Sequence, residues 1–174
     1  MGAQQDALRD VESSGDGETQ DRHAELVRLA GQVGELWGER GGMRTAGRVF
    51  GYLLFSGSGA TSARELRTAL DASAGAVSGA TRYLIAVGLV RAVPGPERRQ
   101  QYYAAAADPF TADLVRARQQ LGRWNEIAVQ AAVHLGSEHP GARRAQDLLA
   151  YVALLDEGLA RVITMLPGSE QPRR

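Results

Sequence analysis

The chain has 174 residues, 44% of them hydrophobic, with 20 basic and 20 acidic side chains and no cysteine. That length and apolar content suit one ordinary domain, or a small domain with added helices, and exclude wholesale disorder. The missing thiol excludes disulfides, thiolate metal sites and thiol redox switching; no apolar run approaches the ~20 residues of a bilayer span.

The zero net charge conceals a strong asymmetry. Residues 1–42 carry four arginines and nine carboxylates, a net of −5; residues 43–103 carry eight arginines and three carboxylates, a net of +5; the remainder is balanced. A basic module set within a neutral chain is the electrostatic footprint of a polyanion-binding segment. All 20 basic residues are arginine. The histidines, His23, His134 and His139, are too few and scattered for a metal site, and no cofactor motif is present.

In chain order, residues 1–20 are acidic, polar and aperiodic, and are expected to form a disordered tail. The start lacks the basic and apolar stretches of a signal peptide, which points to a cytoplasmic protein. Leu26, Leu29, Ala30, Val33, Leu36 and Trp37 then fall at helical spacing within 21–42, and Gly38–Gly42 end that helix. A second helix is expected over Arg44–Phe55, followed by a loop over Ser56–Ser62. Ser62-Ala63-Arg64-Glu65 is a capping box opening a short third helix. Asp71-Ala72-Ser73 is a tight turn whose serine suits the cap of a fourth helix, with Val77, Ala80 or Thr81, Leu84 and Ile85 inward and Gly88 at its end.

The period then becomes extended. Leu89–Val93 and Gln101–Ala104 read as two strands joined through Pro94-Gly95-Pro96-Glu97-Arg98-Arg99. Three helices, a tight turn between the last two, then a hairpin is the order of a winged helix-turn-helix, here over 43–107. Over 108–166 two long helices with seam-like apolar stripes follow, broken near Ser137–Gly141, with Pro140 in the first turn of the second. Their stripes require a partner surface. Residues 167–174 are expected to be a flexible tail. The fold class is mainly α.

An operator-reading helix needs a slim, polar leading face that fits the major groove. The fourth helix presents Ala74, Gly75, Ser78, Gly79 and Arg82 outward, with Ser73 at its start. The alternative for Gly75 and Gly79 is close packing against another helix. Arg98 and Arg99 belong to the wing tip, Arg91 to the opposite strand, and Arg64 and Arg67 to the positioning helix. Together they predict contacts to double-stranded DNA. A scaffold role, with the basic face on an acidic protein partner, is the alternative. Trp37, Phe50, Tyr52 and Trp124 either line a cleft for a small apolar or cationic ligand or pack as ordinary core. No catalytic motif is present, and Asp156-Glu157, as helix neighbours, point to different faces.

These blocks resemble the MarR superfamily, in its GbsR-like branch. The resemblance rests on RTAGRVFGYLLFSG in the second helix, TSARELRTALDASAGAVSGATRYLIAVGLV across the helix-turn-helix, and RRQQYYAA in the wing, and covers roughly Glu25 to Asp108. It implies a homodimer held by the N- and C-terminal helices, DNA binding through Ser73–Val87 and the wing to an operator that is an inverted repeat, and a repressor released by a small-molecule effector. The wing here is short, with Arg98 and Arg99 alone near its tip, which implies modest wing contacts.

Overall fold

The computed structural model describes residues 3–166, with side chains from residue 17 onward apart from Glu18. It falls into two compact units divided between Ala106 and Ala107. The expected tail at 167–174 lies outside the described residues.

The first unit begins with α1 (Ala3–Glu39). This helix takes in most of the segment expected as an unstructured tail. Once residues 26–37 are helical against a neighbour, each residue added upstream extends an existing helix and needs no new nucleus. α1 stops where Gly41 adopts φ 75 and the Gly42 amide donates to the Trp37 carbonyl. A β-carbon on Gly42 would lie 2.1 Å from the Trp37 indole, so the turn folds directly beneath that ring. α2 (Arg44–Phe55) follows over the predicted residues.

α1 and α2 cross in close contact. A β-carbon at Gly47 would lie 2.9 Å from the Gly34 Cα, and one at Gly51 would lie 3.1 Å from the Ala30 Cα. Small residues on both helices let the backbones approach, which packs Ala30 against the core face of α2 formed by Val49, Phe50 and Leu53.

Next come β1 (Thr61–Ser62), α3 (Ala63–Ala69), α4 (Ala74–Ala86), β2 (Val90–Val93) and β3 (Tyr102–Ala105). The strands form an antiparallel sheet of order β1-β3-β2, with Ser62 opposite Tyr102 and Val93 opposite Tyr102 on the other side. The expected two-stranded hairpin forms from β2 and β3, and β1 adds an edge strand beside β3. Thr61 and Ser62 fall in the segment expected as loop, because two residues carry no periodicity; their pairing with Tyr102 and Tyr103 is purely tertiary.

The local caps form as the sequence predicts. Ser62 Oγ accepts from the Glu65 amide at 3.1 Å and the Glu65 carboxylate accepts from the Ser62 amide at 2.6 Å. Ser73 Oγ accepts from the Ala76 amide at 3.2 Å. Gly88, at φ 75, closes α4, with the Leu89 amide donating to the Leu84 carbonyl. Leu66, Leu70, Val77, Ala80 and Leu84 are fully buried beneath α2, and buried Thr81 satisfies its hydroxyl on the Val77 carbonyl at 2.9 Å. Ile85, expected inward, is 40% exposed. Ala80 and Thr81, offered as alternatives, are both buried, and the buried face of α4 ends at Leu84.

The second unit is a helical hairpin of α5 (Pro109–Leu135) and α6 (Pro140–Met165). Asp108 caps α5 on the Thr111 amide, and Pro140 opens α6 as expected. The helices meet through small residues, Ala128, Ala142 and Ala145, with Val152. Arg118 clasps Asp156 with two hydrogen bonds of 2.8 Å. Much of the apolar stripe stays outward, including Phe110, Trp124, Ile127, Val133, Tyr151 and Leu154.

Candidate nucleic-acid interface

Three elements of the first unit converge at the start of α4. α3 supplies Arg64 and Arg67, α4 supplies Ala74, Val77 and Ser78, and the hairpin return supplies Arg99, Gln100 and Gln101. They line one groove of about 440 Å³, floored by Tyr103. A second groove, of about 480 Å³, runs between α4 and the hairpin, lined by Ser78, Thr81, Arg82 and Ile85 from the helix and by Gln100, Gln101 and Tyr102 opposite. Ser78 and the two glutamines border both.

The local chain explains why these side chains are available. Glu97 and Gln100 are tied by a backbone hydrogen bond of 3.1 Å and a side-chain one of 2.6 Å. That turn puts Arg98 and Arg99 at its crest and occupies the adjacent Glu97 carboxylate with an amide. Glu65 is likewise engaged by its own helix cap. Among the described residues, Arg64, Arg67, Arg82, Arg91, Arg98 and Arg99 form no ion pair, whereas Arg28, Arg44, Arg116, Arg118 and Arg161 all do. Six guanidinium groups on one module thus have no carboxylate partner competing with an external anion.

Of the site residues singled out from sequence, Arg64, Ser78, Arg82 and Arg99 line the grooves. Arg98 is exposed at the hairpin crest and Arg91 is exposed on β2; neither lines a groove. Ser73 is spent on the helix cap. Arg82 lies back along α4, its Nε donating to the Ser78 carbonyl at 3.3 Å. Around Gly75 and Gly79 a β-carbon would meet nothing within 4 Å, so within this chain the glycines make no close helix packing and border open space. Arg67, expected on the positioning helix, also lines the first groove, whereas Gln100 and Gln101 are groove residues that the sequence reading missed. Their signal was the run Arg98-Arg99-Gln100-Gln101, whose amides continue the polar edge begun by the arginines.

The wing is fixed as well as charged. A β-carbon at Gly95 would fall 2.0 Å from the Tyr102 ring, so the hairpin backbone lies flat on that buried aromatic. The ligand candidates behave differently. Trp37 packs edge-on against Phe50 at 5.8 Å, and Tyr52 meets His23 edge-on at 6.2 Å. Burial, helped by the charge of Glu65, raises the Tyr52 hydroxyl above its ordinary range. Trp124 stands about half exposed on α5, in the second unit.

Three helices closed by an antiparallel hairpin, with a capped helix bordered by arginine-lined grooves, define a winged helix-turn-helix. No family model matches the chain. It is 30% identical over 135 residues to the HTH-type transcriptional regulator MmpR5 of Mycobacterium tuberculosis, an alignment that covers 74% of this chain and 80% of that one. It is also similar to a crystal structure of a transcriptional regulator, with a TM-score of 0.69 and 25% identity over 80% of this chain and 96% of the other. The chain belongs to the HTH-type transcriptional regulators. Among the described residues, no helix is long and apolar enough to cross a membrane.

Proposed function

We propose that the protein is a cytoplasmic, sequence-specific double-stranded DNA-binding repressor of the MarR superfamily, in its GbsR-like branch, acting as a homodimer. The observation that carries this reading is the groove where Arg64, Arg67 and Arg99 meet the N-terminal half of α4. In it a phosphate backbone is held by guanidinium donors from two elements while the small face of α4, Gly75, Ser78 and Gly79, enters the major groove. Arg82 and Ser78 read base edges; Arg98 and Arg91 reach flanking phosphates or the minor groove. The second copy covers the outward apolar stripes of α5 and α6, together with α1. Release by a small-molecule effector belongs to the same reading, and the half-exposed indole of Trp124 is its natural fluorescent reporter.

Selection of bound genomic fragments, followed by footprinting at two salt concentrations, tests it. A protected inverted repeat whose affinity falls with salt is expected. Arg98→Ala with Arg99→Ala weakens all duplexes alike, whereas Ser78→Ala or Arg82→Ala changes sequence preference. Absence of binding to any duplex at low salt turns the reading toward a protein scaffold.

A further inference from the structure

A helix that reads DNA must be aimed, and one side chain outside the grooves is placed to do so. Arg48 belongs to α2, yet its Nη2 donates to the carbonyl of Leu70, at the C-terminal end of α3. The guanidinium therefore sits on the negative end of that helix. Immediately beyond comes the turn in which Asp71 holds φ 46 and Ser73 caps α4. Arg48 thus grips the chain three residues before the cap of the reading helix.

Its stem is gripped in turn. A β-carbon at Gly34 of α1 would lie 2.5 Å from the Arg48 Cγ and 3.0 Å from the Arg44 carbonyl oxygen. The missing side chain at position 34 is the notch through which Arg48 passes. A continuous line of contact runs from α1, through the stem and guanidinium, to the turn that launches α4.

We propose that Arg48 is a positioning residue, setting the pose of α4 through the Leu70 carbonyl without touching DNA, and that α1 sets Arg48 through the notch at Gly34. The inference rests on the DNA reading above and adds to it a route by which displacement of α1 changes affinity.

The test uses full-length R48M, which keeps the stem and removes the donors, R48K, which restores a shorter donor, and G34A, which fills the notch with Arg48 intact. Affinity is measured for the selected operator and for a random duplex across a salt series, and amide exchange is followed over residues 66–76 without DNA. R48M is expected to weaken operator binding roughly tenfold or more, the scale of a disturbed base contact, with random-duplex affinity and salt slope unchanged. Exchange should accelerate at the α3–α4 turn, R48K should recover part of both effects, and G34A should reproduce the R48M pattern. If R48M does not fold, R48K and G34A carry the same comparison.

Equal weakening of operator and random duplex, with the salt slope reduced by about one, would make Arg48 a phosphate contact and overturn the proposal. So would unchanged exchange at the turn. A wild-type chain that prefers no duplex overturns the DNA reading and the aiming role with it. That failure is distinct, because the exchange measurement still registers the grip of Arg48 on the turn.

Discussion

Gly95 bears on the wing through contact and not through backbone freedom. Its Cα rests against Tyr102, and a methyl group there would collide with the ring 2.0 Å away. Gly95→Ala should therefore displace the ring or lift the hairpin, at a cost of about 1–3 kcal/mol by analogy with overpacked cores. The wing's share of DNA affinity should fall although both of its arginines remain. Chemical denaturation and binding to a random duplex measure the two effects; loss of neither would show that the hairpin yields freely. At this scale the sequence was most legible where a residue's partner lies three or four positions away. Ser62 with Glu65, Ser73 with the Ala76 amide, and Gly88 after α4 follow from local chemistry alone. Arg48 was not legible, because its acceptor lies 22 residues on and is a backbone carbonyl that leaves no mark in composition.

At the scale of elements, α4 combines opposed demands. Gly79 sits mid-helix with open space where its β-carbon would be. Alanine there should stabilise the protein by roughly 0.5–1 kcal/mol, since glycine pays more backbone entropy on folding. If the bare face approaches DNA closely, the same change should weaken operator binding by about an order of magnitude. Raised thermal stability together with unchanged affinity would remove Gly79 from the reading face. The periodicity of α4 located this helix and most of its buried side, but it assigned Ile85 inward by spacing alone. Thr81 can be buried beside Ala80 because its hydroxyl is satisfied by the helix's own carbonyls. β1 was invisible for a related reason, its two residues being strand only by virtue of β3.

The α5–α6 hairpin carries a pH dependence of known sign. The Arg118 hydrogen bonds, partly opposed by desolvation, hold the Asp156 carboxyl below its ordinary value of 3.8. A carboxyl depressed in the folded state stabilises above its unfolded value, and that contribution is lost as pH falls through the folded one. Asp156→Asn should abolish this acid-side component of the melting profile and leave the curve above pH 5 parallel to wild type. The effect should be small and salt-sensitive, because both side chains are half-exposed to solvent.

For the whole molecule, the outward apolar side chains of the second unit form a surface that the fold of the unit does not account for. Val133 and Leu154 are each 71% exposed. A homodimer through this face predicts that Val133→Asp with Leu154→Asp yields monomers by sedimentation at micromolar concentration. Operator affinity should then fall by a factor of 100 or more, as two half-sites no longer bind together. Dimers that persist in the double variant would move the interface elsewhere. The stripes of α5 and α6 were readable from their spacing. The packing of α1 on α2 was not, because it depends on glycines whose meaning appears only when two helices cross.

The six arginines of the grooves and wing also decide how the purified protein will behave in the laboratory. A chain of zero net charge is ordinarily expected to pass a polyanionic resin unretained. Here the carboxylates that balance the count lie mostly in other segments, and Glu65 and Glu97 are occupied by a helix cap and an amide. The exposed guanidinium groups will capture whatever polyphosphate the lysate offers. The preparation should therefore bind heparin well above its nominal isoelectric point of 6.8 and carry nucleic acid, visible as excess absorbance at 260 nm, until washed in concentrated salt.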